Sequence, residues 1–197
     1  MPSNKRKLPT LAAFAVLLLF AFGVGCKGFF INSPTAVNIT PNSVTLTQGQ
    51  SQQLEAEATF GSGSPSNVTN SAVWSSSSAC TVSVSTQTLG QVTAIGSGGA
   101  ATITAIYNGV SGSATATAPS GVTISPCGTF THGTTQQFSA SFNGTDVTSS
   151  TTWTSSNSSI VSFASASSSL ATFGPQTGTA TIMAAGSATG FLEITVQ

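Results

Sequence analysis

The sequence predicts an all-β protein made of two tandem antiparallel β-sandwiches, and three observations support this prediction. First, the chain repeats itself: Trp74 and Trp153 are 79 positions apart, and so are Thr102 and Thr181. A repeat of about 80 residues is too long for a solenoid and suits a small domain. Second, apolar and polar residues alternate in short runs between Gly, Pro and Asn-Gly turns. Third, no helical period of apolar residues occurs after Cys26.

Residues 1–25 predict an export signal. Basic residues 5–7 precede an uncharged, mostly apolar run from 11 to 25, which is shorter than the roughly 20 residues of a membrane span. Gly23-Val24-Gly25 before Cys26 resembles the lipobox of bacterial lipoproteins, although Gly23 stands where an aliphatic residue is usual. The resemblance implies that Cys26 becomes the first mature residue and carries lipid. An ordinary secretory signal and an uncleaved anchor are the alternatives.

Residues 26–35 are predicted to form a tether between the lipid and the first domain. Its Phe29-Phe30-Ile31 cluster either packs on that domain or enters the membrane surface. Because Lys27 follows the cysteine, and not the Asp that retains some lipoproteins in the inner membrane, the outer membrane or cell surface is favoured.

Charge excludes nucleic acid as a partner. All four Lys and Arg residues lie in the first 27 positions. After Cys26 one positive side chain stands against four negative ones, a net of −3, contributed by Lys27, Glu55, Glu57, Asp146 and Glu193. Such a chain lacks the groups that neutralise phosphates. It also lacks a basic patch for anionic lipid, so the predicted membrane contact is the lipid on Cys26 alone.

The first domain is predicted over residues 36–118. Strands are expected at 37–39, 44–47, 52–60, 72–75, 82–84, 92–95, 102–107 and 110–118. Pro41 interrupts the first strand, as Pro does at edges and bulges. Residues 96–99 form a Gly-rich turn, and Asn108-Gly109 favours a two-residue hairpin turn with positive φ. Pro119 ends the domain.

The second domain is predicted over residues 120–197, with the same order of elements. Residues 122–126 repeat the Val-x-Ile-x-Pro of 37–41, and 133–138 repeat the Gly and Gln-Gln of 49–54. The strand at 138–142 is shorter than its counterpart. About seven short strands in 80 residues fit a two-sheet sandwich.

These blocks, together with Val-Thr-x-Ser-x-x-Trp and Gly-x-Ala-Thr-Ile-x-Ala, resemble the bacterial immunoglobulin-like (Ig-like) domain of group 2, which occurs in invasin- and intimin-like adhesins. The resemblance covers residues 36–197 and implies two Ig-like sandwiches. It says little about a ligand, because the motif residues are structural and function on such scaffolds lies in loops.

Two residue pairs stand out as structural candidates. Trp74 and Trp153 occupy the same position in both copies, which favours the sandwich core over sugar stacking. Cys80 and Cys127 both fall near the link between the domains, so an interdomain disulfide is predicted for an exported protein. Two separate thiols are the alternative.

No catalytic, metal or cofactor site is predicted. His132 and Asp146 are the single His and Asp, and no sequence context joins them to a particular Ser. Glu55 and Glu57 alternate with apolar residues and therefore face solvent. Zinc needs three or four converging ligands and calcium several carboxylates, and neither set is present.

The expected function is therefore that of a non-enzymatic cell-envelope lipoprotein that presents Ig-like domains for adhesion or protein–protein contact. A passive spacer is the first alternative. Sugar binding is the second, and it needs exposed aromatic rings. The candidates are Phe142, Phe163, Phe173 and Phe191, although alternation places at least some of them in the core.

Overall fold

The computed structural model describes residues 33–197. In this part of the chain the regular structure is β-strand, apart from one 3-10 turn at Thr148–Ser150. None of its helices is long and apolar enough to cross a bilayer. The predicted export signal, Cys26 and most of the tether lie outside the described residues.

The first sandwich contains ten strands of the described chain. They are β1 (Ala36–Thr40), β2 (Ser43–Thr45), β3 (Ser51–Gln53), β4 (Glu55–Thr59), β5 (Ser66–Asn67), β6 (Val73–Ser76), β7 (Val82–Val84), β8 (Gln91–Ala94), β9 (Gly99–Tyr107) and β10 (Val110–Ala118). One layer holds the sheets β1-β4-β5 and β3-β8-β7, which continue one another because a single residue separates β3 from β4. The other layer is the sheet β2-β10-β9-β6.

The second sandwich repeats this plan. Its strands are β11 (Thr123–Ser125), β12 (Thr129–Phe130), β13 (Thr135–Gln137), β14 (Ser139–Phe142), β15 (Thr145–Asp146), β16 (Thr152–Ser155), β17 (Val161–Phe163), β18 (Leu170–Phe173), β19 (Gly178–Ala185) and β20 (Thr189–Val196). They form the sheets β11-β14-β15, β13-β18-β17 and β12-β20-β19-β16. The all-β prediction of two tandem sandwiches is confirmed.

Alternation of side chains builds one core between the layers of each sandwich. In β4 the alanines at 56 and 58 are fully buried, while Glu55 is exposed and Glu57 partly so. The first core is mostly aliphatic, with Val37, Ile39, Leu46, Leu54, Val82, Val92 and Ile103 among its members. The second core adds aromatic side chains, namely Phe138, Trp153 and Phe173.

The predicted strand at 52–60 is broken at Leu54. Gln53 pairs with Gln91 of β8, whereas Glu55 pairs with Thr40 of β1. Leu54 lies fully buried between them, and its main-chain N–H donates to the carbonyl of Gly90 at 2.9 Å. The chain therefore exchanges partners at this residue without losing its inward alternation, which is why the sequence pattern shows no interruption.

The sheets are antiparallel as predicted, except for one parallel pair in each sandwich. β2 runs parallel to β10, and β12 runs parallel to β20. Pro41 and Pro126 lie where the chain leaves one layer and joins the other while keeping its direction. The predicted Asn108-Gly109 turn is confirmed, with φ of 48° and 83° between paired Tyr107 and Val110.

Candidate functional site

The joint between the two sandwiches combines a disulfide, main-chain hydrogen bonds and buried side chains. The structure brings Cys80 and Cys127 together in a disulfide, with their Cα atoms 5.8 Å apart. Cys80 lies in the turn between β6 and β7, and Cys127 lies between β11 and β12. The bond thus crosses from the first sandwich to the second.

The Gly-rich segment at 95–98 is the second part of the joint. It lies antiparallel to β20: the N–H of Ser97 donates to the carbonyl of Phe191 at 3.0 Å, and the N–H of Glu193 donates to the carbonyl of Ile95 at 2.6 Å. The first sandwich therefore adds a short strand to the edge of a sheet in the second.

Ser97 completes this contact with its side chain. Its hydroxyl donates to the carbonyl of Val122 at 2.6 Å and accepts the N–H of Phe191 at 3.0 Å. Only 4% of Ser97 is exposed. Because buried polar groups cost free energy when unpaired, these bonds satisfy both the serine and the strand edge that it covers.

Glycine is required at this contact. Gly98 has φ of +100°, and a Cβ on it would lie 2.2 Å from the Oγ1 of Thr123 across the joint. Within the second sandwich, a Cβ on Gly190 would lie 1.8 Å from the carbonyl oxygen of Val122, the same oxygen that accepts the Ser97 hydroxyl. These glycines thus allow the close approach of main chains.

Phe191 is an apolar anchor of the joint. It is 7% exposed and belongs to neither sandwich core. It lines a small cavity together with Gln48, Gly49 and Ile95 of the first sandwich. Phe191, one of the candidate rings for sugar binding, is therefore buried.

The other aromatic candidates for sugar stacking are also covered. Phe173 lies in the second core, and Phe142 and Phe163 pack against it while half-buried. Among residues 33–197 no aromatic side chain is in the exposed class. Phe173 is thus one of the candidates that alternation places in the core, and residues 33–197 present no exposed aromatic ring.

The repeated Val-Thr segment ties each Trp to its sandwich. The Nε1–H of Trp74 donates to the carbonyl of Thr69 at 2.9 Å, and that of Trp153 to the carbonyl of Thr148 at 3.4 Å. Each threonine hydroxyl also accepts a main-chain N–H, from Ala56 or Ala140, at 2.8 Å. The motif therefore links the Trp strand to the opposite layer.

The two Trp side chains differ in burial. Trp153 is 2% exposed, whereas Trp74 packs against the first core and stays half-buried. Trp153 has aromatic neighbours, with ring centroids 6.4 Å from Phe138 and 5.8 Å from Phe163. The corresponding positions in the first sandwich hold the smaller Leu54 and Val84.

The titratable residues His132 and Asp146 do not contact one another in the described part of the chain. His132 is exposed, and no hydrogen bond joins it to Asp146 among residues 33–197. The carboxylate of Asp146 accepts the main-chain N–H of Thr148 at 2.8 Å. Hydrogen bonds from the side chain and main chain of Thr148 lower the pKa of Asp146 below its usual value. The described residues also contain no cluster of three His, Cys, Asp or Glu side chains able to hold a metal ion.

Sequence reasoning missed the roles of Ser97 and Phe191. A serine in a Gly-rich turn carries no signal for burial. Phe191 stands out of phase with the inward residues Leu192, Ile194 and Val196 of β20. Its position in the alternation could have indicated that Phe191 points away from the core and packs against another part of the molecule.

An open groove in the first sandwich occupies the place that the Ser97 segment fills in the second. It lies between residues 37–42 and 111–113, and its lining is mostly polar. Position 113, which corresponds to Phe191, is a serine. The two sandwiches therefore share a scaffold but not this surface.

Residues 34–118 match the family model of the bacterial Ig-like domain of group 2. No curated protein matches the sequence. Domains 5–6 of the S-layer protein SbsC are 14% identical with a TM-score of 0.36, over 83% of this chain and 97% of that one. A longer SbsC structure, rSbsC(31-844), is 17% identical with a TM-score of 0.34, over 83% of this chain and 28% of that one. The titin domains z1z2 in complex with telethonin are 16% identical with a TM-score of 0.25, over 84% and 98%.

Proposed function

We propose, from the group 2 bacterial Ig-like domain in residues 34–118, that this protein is a non-enzymatic cell-envelope module. It is anchored by lipid on Cys26 and presents its two sandwiches as one rigid unit for contact with another protein. The joint is the observation that carries this proposal. A disulfide, a short antiparallel ladder and the buried Ser97 and Phe191 hold the sandwiches together.

A rigid joint favours presentation because binding costs free energy when loose parts must be ordered. Surfaces on two sandwiches that are already fixed relative to one another can meet one partner together without that cost. Loops and strand edges supply the recognition, as is common for β-scaffolds.

A passive spacer is the second candidate, and the surface favours it. The exposed large apolar side chains of residues 33–197 are Val73, Ile106, Leu170 and Met183. Protein-binding sites often show larger apolar patches. A rigid joint also suits a spacer, so only a binding experiment separates the two.

Anchoring is tested by Cys26→Ser. In a bacterial host fed with labelled palmitate, the unchanged protein is expected to take up label and to stay with the membrane fraction. The variant is expected to lose the label, because the thiol that would carry the acyl chains is gone. Equal labelling of both proteins would contradict lipidation at Cys26.

Partner binding is tested by capture with the membrane-purified full-length protein on envelope and host-surface extracts. At least one protein is expected above the resin control. Its recovery is expected to fall when Cys80→Ser and Cys127→Ser remove the covalent link between the sandwiches. Recovery at background from both extracts would leave the spacer as the better function.

A further inference from the structure

Within the described residues, the outer edge of β6 has no main-chain partner, whereas the same edge of β16 in the second sandwich is covered. Both Trp strands are edge strands of their four-stranded sheets. In β16 the main-chain N–H of Trp153 donates to the carbonyl of Ala166 at 2.7 Å, so the segment after β17 covers that edge. Trp74 has no such main-chain partner among residues 33–197.

The main-chain groups of Trp74 and Ser76 face away from the sheet. Trp74 pairs with Ala105 as Trp153 pairs with Ala184, and the N–H of Trp153 points outward to Ala166. Alternate residues of a strand direct their main-chain groups to the same side. The edge of β6 therefore offers donors and acceptors at Trp74 and Ser76.

The outer face beside this edge is apolar in the first sandwich alone. Val73 and Ile106 are cross-strand neighbours with exposures of 69% and 41%. Their counterparts in the second sandwich are the polar Thr152 and the small Ala185, which also pair. An exposed apolar pair at an unpaired edge is a template for strand addition.

The edge also lacks the features that normally prevent pairing. Soluble proteins protect open strands with charged side chains, Pro or bulges. The sequence of β6 is Val-Trp-Ser-Ser, without charge or Pro. The charged residues of the first sandwich, Glu55 and Glu57, belong to β4 in the opposite layer.

We propose that β6 pairs antiparallel with β6 of a second copy of this chain, with Ser75 on the twofold axis. This register places Trp74 opposite Ser76 of the second copy and allows four main-chain hydrogen bonds, two on each side of the axis. It also places the bulky Val73 opposite the small Ser77 of the second copy. Neither edge carries charge, so the two copies do not repel one another there.

The proposed contact is isologous and therefore closes as a dimer. It rests on the proposed role in protein contact and names the partner. The two proposals fail separately: an empty capture experiment leaves the dimer standing, and a monomeric protein leaves contact with another protein standing.

Ser75→Cys tests the register. In the antiparallel pair, Ser75 would face its own copy at a non-hydrogen-bonded position, where Cα atoms are about 4.5 Å apart. That distance lies within the disulfide range. The full-length S75C protein, in intact cells under mild oxidation, is expected to run as a covalent dimer on non-reducing gels. Mass spectrometry should find the bridge within the peptide that spans position 75.

Thr154→Cys is the matched control. Thr154 holds the equivalent exposed position in β16, whose edge is covered through Ala166. T154C is expected to stay monomeric. Equal cross-linking of S75C and T154C, or none with S75C, would overturn the proposal.

Val73→Lys tests the edge independently. A lysine at the paired edge is expected to lower the S75C dimer yield by roughly fivefold or more, since charge on an edge strand opposes pairing. Thr152→Lys, at the equivalent exposed site of the second sandwich, is expected to leave the yield unchanged. A yield insensitive to V73K would contradict pairing through this edge.

Discussion

Replacing Trp153 by alanine is expected to destabilise the second sandwich by about 3–5 kcal/mol, the range for truncating a buried aromatic residue. The indole is almost completely buried between Phe138 and Phe163. Removal of the indole leaves a cavity beside the rings of Phe138 and Phe163, and these rings can fill it only by moving from their packed positions. Losses of this size approach the whole stability of a small domain, so the second sandwich should melt well before the first.

Trp74→Ala is the control for this prediction. Both variants lose an indole hydrogen bond to a threonine carbonyl in the same motif. They differ in burial, because Trp74 is half-buried beside smaller neighbours. Calorimetry should therefore give a clearly smaller loss for W74A. Equal losses would mean that the shared hydrogen bond, and not aromatic packing, dominates both sites.

Replacing both Cys80 and Cys127 by serine is expected to cost about 4 kcal/mol, from the chain-entropy estimate for a closed loop of this length. The bond spans 47 residues of sequence. Its loss increases the freedom of the unfolded chain, while Ser97 and Phe191 remain in place at the joint. Thermal unfolding should thus shift strongly downward while the folded spectrum is retained.

Two measurements check the disulfide. Alkylation of the native, unreduced protein followed by mass spectrometry should find neither Cys80 nor Cys127 modified. Reduction of the unchanged protein should lower its melting temperature toward that of the double variant. Two alkylated cysteines in the native protein would contradict the bridge. Equal melting temperatures of the reduced and unreduced protein would contradict its stabilising effect.

The alternation of apolar and polar residues made the two cores predictable. The order of the strands in the sequence did not reveal which strands pair. Ala56 and Ala58 follow the period-2 pattern, so their burial could be foreseen. The partner exchange at Leu54 could not, because burial on both sides of the break keeps the pattern intact. The parallel pairing of β2 with β10 depends on where Pro41 sends the chain, which is a three-dimensional property.

The candidate surfaces were harder to foresee for a similar reason. Ser97 and Phe191 are 94 residues apart, and neither has a counterpart of its own kind in the other copy. The difference between the two Trp edges depends on the path of the segment that holds Ala166. Repeat comparison indicated the shared scaffold, and the surfaces lie where the copies differ.

The Cys80–Cys127 bond also has a mechanical consequence. Tension applied on either side of the two cysteines passes through the sulfurs and bypasses the 47-residue span between them. That span contains β7, β8, β9 and β10 of the first sandwich and β11 of the second. At about 3.4 Å per residue, this span has a contour length of roughly 160 Å, and it cannot be extended until the disulfide breaks. Under load, these four strands of the first sandwich are therefore shielded from stretching, and the connection between the two sandwiches behaves as a short, stiff link.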